Sequence, residues 1–197
     1  MKRKLGPVPM IYPMPALLVG TTNDDGTANA MTAAWASICC MRPPCAGVAI
    51  RQQRHTHRNL LARRAFTLNV PRASSAAAVD FLGIVSGARD AEKLSRAGLE
   101  TSPGSVVDAP LVTECPVNVE CELREQLELG SHTWFVGEIM EVHVDEELLD
   151  DAGKVDVVTL DPLVFCTSRQ TYHRLGEVVA RAFDVGKSLR GRDGRDR

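Results

Sequence analysis

The stretch from Val117 to Val144 constrains the fold more than any other part of this sequence. Apolar and polar residues alternate from Val117 to Leu129 and again from His132 to Val144, with Gly130-Ser131 between the two runs. Alternation with a period of two is typical of strands that bury one face, and a short connection containing glycine joins antiparallel neighbours. The sequence therefore predicts two long paired strands.

Shorter elements are predicted on either side of this hairpin. The turn sequence Asn23-Asp24-Asp25-Gly26 separates two apolar stretches, and Arg42-Pro43-Pro44 precedes a third. Ser74 and Ser75 are expected to cap a helix that Gly83 ends. The predicted strands are 11–22, 27–37, 45–51 and 65–70, the predicted helices are 55–64 and 76–82, and further apolar stretches follow at 155–160 and 163–166.

The order of these elements favours one fold class. Many short strands with two or three helices, and no regular strand–helix–strand repeat, indicate a mainly β protein: an antiparallel β-barrel with helices attached. A doubly wound nucleotide-binding fold is disfavoured, since no Gly-x-Gly-x-x-Gly occurs. We expect one domain over residues 1–180 and a charged tail over 181–197.

Composition limits the partners of this chain. Its formal net charge of −2 gives no overall positive field for nucleic acid or anionic membranes, and no apolar run is long enough to span a bilayer. Prolines interrupt the residues after the basic start Met1-Lys2-Arg3-Lys4, which argues against a signal peptide. We therefore expect a cytoplasmic protein whose six cysteines are thiols.

The segment from Asn29 to Trp35 places small side chains along a predicted strand. Residues Met31, Thr32, Ala33 and Ala34 would let a flat ring such as an isoalloxazine approach the backbone closely. A buried strand packed under a neighbouring helix explains the same pattern. The segment alone does not separate these interpretations.

A basic turn follows the predicted third strand. Arg51, Arg54, His55 and Thr56 combine charge, hydroxyl and free helix N–H groups, which a phosphate dianion requires. A solvated basic turn is the alternative interpretation. His55 and His57 could also ligate a metal, but no carboxylate or thiol pattern accompanies them, and we expect no metal site.

Two further polar positions are candidates. The loop containing Ser86, Gly87 and Lys93 could close over a phosphate or a ribityl chain, or it could be an ordinary helix boundary. His132 begins the last long strand, where it faces either a pocket or solvent. Cys39 and Cys40 point to opposite faces if their strand continues regularly, which makes them poor joint metal ligands.

Taken together, these segments resemble the flavoredoxin and flavin reductase-like family, over most of residues 8 to 176. The segments that carry the resemblance are Asn29 through Trp35, Pro43-Pro44, Arg54 with Thr56, Phe66 through Val70, Ser86-Gly87, Glu114 through Cys121, and Gly130 through Glu138. The resemblance implies an FMN-binding split β-barrel of antiparallel Greek-key type. It also implies a homodimer with FMN near the interface.

The resemblance assigns roles by position. The residues expected to hold FMN are Asn29, Met31, Thr32, Ala33, Ala34, Trp35, Ile50, Arg51, Arg54, His55, Thr56, Ser86, Gly87 and Lys93, and His132 is the expected catalytic residue. This chain has Gly130-Ser131-His132 where the family often has glycine-aspartate-histidine. The family's spacing from serine-glycine to lysine is one residue shorter than the spacing here.

The resemblance leaves three activities open. The chain is expected to be an oxidoreductase that moves hydride or electrons through FMN, with NADH or NADPH as the co-substrate. Alternatively it is an electron carrier of the flavoredoxin type, reduced by a partner protein. A flavin- or haem-binding module without turnover is the third possibility, because split barrels are reused for several tasks.

Overall fold

A computed structural model describes residues 1–189 of the chain. The strands are β1 (Met14–Pro15), β2 (Leu17–Thr22), β3 (Ala28–Ala33), β4 (Ala36–Met41), β5 (Pro44–Arg51), β6 (Ala65–Val70), β7 (Thr101–Pro103), β8 (Pro110–Val112), β9 (Val117–Leu129), β10 (His132–Val144), β11 (Val164–Cys166) and β12 (Thr171–His173). The helices are α1 (His55–Arg63), α2 (Ala76–Ile84), α3 (Lys93–Arg96) and α4 (Val157–Leu160).

Seven strands form one antiparallel sheet in the order β3-β2-β6-β9-β10-β5-β4. The two edge strands, β3 and β4, are consecutive in the chain and are joined only by Ala34 and Trp35. Because so short a link brings opposite edges of the sheet together, the sheet must curl into a barrel. The predicted mainly antiparallel β fold is confirmed.

The predicted long hairpin is confirmed and forms the centre of the sheet. β9 pairs with β10 from Leu129 opposite His132 to Val117 opposite Val144. Gly130 has a φ of +72°, the left-handed conformation that a two-residue turn between twisted strands requires. The hairpin fixes His132 at the start of β10, opposite Arg51 at the end of β5.

Two apolar cores lie on opposite sides of the sheet. Leu17 and Val19 point into the barrel, together with Phe66 and Phe135. Leu18, from the same strand, points outward against Val79 and Leu82 of α2. β2 is therefore buried on both faces, which explains its nearly continuous apolar sequence.

Several predicted boundaries are wrong. The single strand expected at 27–37 is two strands, because the chain crosses from one edge of the sheet to the other at Ala34-Trp35. The strand expected at 11–22 begins only at Met14 and is interrupted at Ala16. Gly83 lies inside α2, and Ser75 precedes that helix without making a side-chain cap.

The charged tail predicted over residues 181–197 is described only as far as residue 189. Residues 185–189 form a short 3-10 turn with exposed side chains, and residues 190–197 lie outside the described part. The proposed division at residue 180 stays a prediction. Within residues 1–189, none of the helices combines the length and the apolar composition needed to cross a membrane.

Candidate cofactor site

A narrow crevice lies between β3, the start of α1 and the loop that follows α2. Its lining residues are Met31, Arg54, His55, Thr56, Leu82, Val85, Ser86, Gly87 and Lys93. The sequence places these residues in three segments far apart in the chain, and the fold brings them together. A cavity of about 490 Å³ elsewhere, beside residues 101–110, is lined without any Lys, Arg or His side chain. Size alone therefore does not identify the site.

The start of α1 faces the crevice without a side-chain cap. Arg54 occupies the N-cap position in an extended conformation, its side chain makes no capping hydrogen bond, and the first turn contains no acidic residue. The first N–H groups of a helix carry partial positive charge and attract anions. Nothing in the first turn of α1 itself neutralises that charge.

Lys93 adds a buried cation to the crevice. The residue is 3% exposed, and its Nζ donates one long hydrogen bond, of 3.5 Å, to the carbonyl of Val85. Among residues 1–189, no carboxylate lies within 4.0 Å of that Nζ, and the nearby Asp90 is paired with Arg96. Burial, and then the charge of Arg54, lower the pKa of Lys93 to about 8. An ammonium group buried in this way favours an anionic partner.

Buried amide and hydroxyl groups support the floor of the crevice. Asn29 Nδ2 donates to Thr56 Oγ1 at 2.9 Å and to Thr21 Oγ1 at 3.1 Å. Asn59 Nδ2 donates to Asn23 Oδ1 at 2.7 Å. Within the described chain, Asn29 Oδ1 and Asn59 Oδ1 are buried without a hydrogen-bond partner. These interactions hold Thr56 and the first turn of α1 against β3.

Gly87 lets the loop lie directly on this polar floor. A Cβ atom at this position would overlap Asn29 Oδ1 and would come within 3.3 Å of His55 Cδ2. The backbone therefore approaches as closely as only glycine permits. Ser86 and Gly87 of this loop line the crevice together with Lys93, the first residue of α3.

Two histidines of α1 are fixed by protein groups. His55 Nε2 lies 2.8 Å from Asn23 Oδ1, so this nitrogen donates and carries the ring proton. His57 Nε2 lies 2.9 Å from Thr133 Oγ1, and its ring meets Phe135 edge-on. Burial lowers the pKa of both histidines, which keeps them neutral near pH 7. Residues 1–189 contain no group of three or more His, Cys, Asp or Glu side chains arranged to hold a metal ion.

An apolar groove of about 400 Å³ begins where β3 ends. Ala34, Trp35 and Trp134 line it together with residues from the N-terminal arm between Pro9 and Pro15. The Trp35 ring stacks on His132, with ring centroids 4.7 Å apart. Burial, and then the charge of Arg51, lower the pKa of His132. His132 is thus a neutral imidazole that packs beside an aromatic ring.

Comparison with known proteins identifies the family. Residues 10–175 match the model of the flavin reductase like domain. The chain belongs to the flavin reductase-like family. This result confirms the resemblance stated from the sequence, and the structure of the chain is the split β-barrel of that family.

Three solved structures of similar proteins illustrate the match. Flavoredoxin of Desulfovibrio vulgaris (Miyazaki F) is 42% identical, with a TM-score of 0.90, and the match covers 94% of this chain and 100% of that one. Flavoredoxin from Methanosarcina acetivorans is 32% identical, with a TM-score of 0.88 and coverages of 96% and 99%. An FMN-binding protein from Thermus thermophilus, with 1-cyclohex-2-enone bound, is 27% identical, with a TM-score of 0.76 and coverages of 92% and 99%.

The structure of this family member divides the predicted site residues into three groups. The crevice contains Met31, Arg54, His55, Thr56, Ser86, Gly87 and Lys93, and the groove region contains Ala34, Trp35, His132 and Arg51. The third group has side chains engaged elsewhere. Ile50 and Ala33 belong to the barrel core, Thr32 donates a hydrogen bond to the carbonyl of Val79, and Asn29 lies beneath the crevice.

Sequence reasoning missed four parts of the lining. Leu82 and Val85 were assigned only to a helix and its end, although they form one wall of the crevice. Trp134 and the N-terminal arm line the groove. The alternation of β10 places Trp134 on the same face as His132, and this signal would have found it. No local pattern indicates where the arm packs.

Proposed function

We propose that this chain binds FMN and transfers hydride or electrons through it, with NADH or NADPH as the reductant. The observation that carries the proposal is the unpaired cation Lys93, buried beside Arg54 at the uncapped start of α1. This arrangement suits a dianion. The crevice borders β3, the strand that leads to the apolar groove. The order of polar crevice and apolar groove matches the phosphate, ribityl and ring portions of FMN.

The crevice has a free volume of only about 10 Å³, so its residues suit the charged end of FMN by their chemistry and must move apart to admit a phosphate. The Lys93 ammonium, the Arg54 guanidinium and the first N–H groups of α1 are donors that favour a phosphate dianion. Ser86 and Thr56 supply hydroxyl groups beside them. Because Thr56 Oγ1 already accepts from Asn29, its own O–H is oriented away from that amide.

The end of β3 fits the ring. β3 is an edge strand, so alternate N–H and C=O groups point away from β2 and are free to meet the edge of a flat heterocycle. Trp35 and His132 flank this position. When bound, FMN supplies the two-electron and one-electron chemistry that the side chains of this chain lack.

His132 is the expected catalytic residue. Ser131 Oγ lies 2.9 Å from His132 Nδ1. When Ser131 donates to Nδ1, the ring proton is on Nε2, which can then donate to an atom that gains negative charge. The serine thus replaces the aspartate of the family pattern and orients a neutral imidazole without adding a negative charge.

The first experiment is a visible spectrum of freshly purified protein, with mass identification of the small molecule released by denaturation. We expect a flavin spectrum and FMN. An apoprotein that takes up no FMN in a titration at micromolar concentrations contradicts the proposal. A strong Soret band would replace FMN with haem.

A flavoredoxin-type electron carrier is the second candidate function. The 42% identity to a flavoredoxin favours it. An electron carrier that is reduced by a partner protein needs no binding site for a nicotinamide. Stopped-flow mixing of the FMN-loaded protein with NADH or NADPH separates the candidates. Rapid bleaching of the flavin supports the reductase, and reduction only by a partner protein supports the carrier.

The homodimer and the cytoplasmic location are also proposals. Exposed apolar side chains on β4, such as Ile38 and Met41, support a second copy near the groove. Light scattering of the FMN-loaded protein tests the dimer. A monomer at micromolar concentration with full FMN occupancy contradicts a cofactor site that depends on two subunits.

A further inference from the structure

Three of the six cysteines lie together at the turn between β4 and β5. Cys40 is the direct partner of Cys45 across the two strands. The register shifts between Ile38 and Cys40, so Cys39 is the extra residue of a β-bulge. A bulge places two residues opposite one, and both Cys39 and Cys40 therefore face Cys45. The strand does not continue regularly at this bulge, so the condition under which Cys39 and Cys40 would point to opposite faces is not met.

The spacing of Cys40 and Cys45 suits a covalent link. Directly opposed residues of antiparallel strands have Cα atoms about 4.5–5.5 Å apart. Disulfides join Cα atoms that are about 4.4–6.8 Å apart. The two thiols are free in this structure, and the register of the two strands sets them directly opposite each other.

The two thiols differ in access to solvent. Cys40 is exposed, whereas Cys45 is buried and donates a hydrogen bond to the carbonyl of Pro43 at 3.4 Å. Burial, and then the neighbouring thiols Cys40 and Cys39, raise the pKa of Cys45. An incoming oxidant therefore meets Cys40 first, and Cys45 is the partner that completes the reaction.

We propose that Cys40 and Cys45 form a dithiol–disulfide couple that exchanges two electrons with small disulfide molecules. The thiolate of Cys40 attacks one sulfur of the molecule, its S–S bond breaks, and the first thiolate leaves. Cys45 then loses its proton to solvent and attacks the Cys40 sulfur, which expels the second thiolate. The protein gains one S–S bond and is oxidised by two electrons, and the small disulfide is reduced to two thiols.

The couple is separate from the candidate cofactor site. Trp35 precedes Cys40 by five residues of extended chain, or about 16 Å at the rise of a strand. This separation is too long for hydride transfer between the two places. The inference therefore does not depend on FMN binding.

The test uses the full chain, equilibrated with oxidised and reduced glutathione in varying ratio and then alkylated. Cyanogen bromide cleaves after Met31, Met41 and Met140, so Cys39 and Cys40 fall in fragment 32–41 and Cys45 falls in fragment 42–140. We expect these fragments to be joined in oxidised protein and separate in reduced protein. Alkylation of the unfolded oxidised chain should find four thiols instead of six.

Matched single variants identify which cysteine of β4 forms the link, and Cys45→Ser identifies its partner, because Cys115 and Cys121 share fragment 42–140 with Cys45. Cys39→Ser and Cys40→Ser are both exposed substitutions on one strand, so both variants should fold. We expect the joined fragments in Cys39→Ser and their loss in Cys40→Ser. The proposal is overturned if wild-type fragments stay separate at every glutathione ratio, if the bond links two chains, or if Cys40→Ser retains the link.

Discussion

Two buried polar clusters of this protein differ in whether the chain satisfies them. The crevice cluster, defined by Asn29, Thr56 and Lys93, contains an unpartnered amide oxygen and a cation that has no carboxylate within 4.0 Å among residues 1–189. The Glu120 cluster, defined by Glu120, Ser105 and His143, contains a carboxylate that is 0% exposed and fully hydrogen-bonded. The first cluster favours the binding of a ligand, whereas the second stabilises the fold.

The Glu120 carboxylate is held by the loop that precedes β8. Its Oε1 accepts from the N–H and hydroxyl of Ser105 at 2.9 and 2.6 Å, and its Oε2 accepts from the N–H groups of Val106 and Val107 at 2.9 Å. Burial alone would raise the pKa of Glu120, but hydrogen bonds from Ser105, His143 and Val106 outweigh it and lower the pKa to about 2. A carboxylate with this many donors fastens a loop.

The same cluster contains serine, histidine and an acid, but its geometry is not that of a hydrolase. His143 Nε2 lies 2.7 Å from Glu120 Oε1 and 3.3 Å from Ser105 Oγ. One ring nitrogen therefore faces both partners. In a catalytic triad the histidine instead uses one ring nitrogen for the serine and the other for the acid. The acid then stabilises the positive charge that the ring gains when it takes the serine proton. The Glu120 cluster thus differs from the crevice cluster in its complete hydrogen bonding, although it contains residue types that are found in catalytic sites.

The largest expected effect comes from Glu120→Gln. The shift of the Glu120 pKa from 4.5 to about 2 corresponds to about 3 kcal/mol of stability, which the amide loses. Because the folded-state pKa is lowered, this contribution is present above pH 4.5 and is lost as the pH falls toward 2. Denaturant unfolding at pH 7 should show the loss, with FMN affinity of the folded variant unchanged.

Glu122→Gln is the matched control for this prediction. Glu122 lies on the same strand but is exposed, so its substitution should change the free energy of unfolding by less than about 0.5 kcal/mol. Equal losses of unfolding free energy in the two variants would show that the hydrogen bonds from residues 105–107 to the Glu120 carboxylate add no stability of their own. If Glu120→Gln weakens FMN binding and Glu122→Gln does not, the two clusters act together in cofactor binding.

The second effect, from Lys93→Met, should separate binding from stability. Loss of a charged hydrogen bond to phosphate costs about 1.5–3 kcal/mol, or about 10- to 150-fold in FMN affinity. The apoprotein should nevertheless become more stable, since a buried cation without a counter-charge is replaced by an apolar side chain. Fluorescence titration with FMN and denaturant unfolding of the apoprotein measure the two changes.

Arg89→Met supplies the control, because Arg89 is an exposed cation on the loop between α2 and α3 and does not line the crevice. We expect little change in either measurement. If Lys93→Met destabilises the apoprotein, the lysine has a structural partner that the crevice geometry does not show. If FMN affinity is unchanged, Lys93 does not contact the phosphate.

The two clusters also differ in how much the sequence could predict. The crevice residues come from segments with local signals: a basic turn before a helix, a serine-glycine loop and a small-residue strand. The resemblance then indicated that these segments meet. Lys93 was included on that basis, and the structure places it in the crevice despite its altered spacing from Ser86-Gly87.

No local signal predicts the Glu120 cluster. Glu120 stands between Val119 and Cys121, so the alternation of β9 suggests an ordinary residue on the outer face of a sheet. It is buried because residues 104–107 fold over that face, a contact between segments 13 to 15 residues apart. The alternation correctly gave the strand and its pairing, but the covering loop depends on tertiary structure.

A third effect is expected from Gly87→Ala. The added Cβ would overlap Asn29 Oδ1, and the loop must move outward to accept it. Overpacking of this kind costs about 1–3 kcal/mol, which should appear mainly as weaker FMN binding because Ser86 and Lys93 move with the loop. In Gly83→Ala, by contrast, the Cβ meets Thr32 at an ordinary 3.5 Å, so FMN affinity should not change. Equal affinity in the two variants would show that the loop does not hold the cofactor.

The smallest effect is a pH dependence with opposite signs in binding and stability. Lys93 has a pKa of about 8 in the folded apoprotein and 10.5 as a free side chain. Below pH 8 the lysine is charged in both states, and the folded apoprotein bears the full cost of the buried charge. Between pH 8 and 10.5 the unfolded chain binds more protons, so apoprotein stability rises with pH.

FMN affinity should fall as the pH rises through 8, because the phosphate loses its cationic partner as Lys93 deprotonates. The expected loss is about tenfold between pH 7 and pH 9. His55, which also faces the crevice, has a lowered pKa and stays neutral throughout. Lys93→Met should therefore flatten both profiles. If stability and affinity instead change with pH in the same direction, a group other than Lys93 governs them, and the crevice cluster is a structural site like the Glu120 cluster.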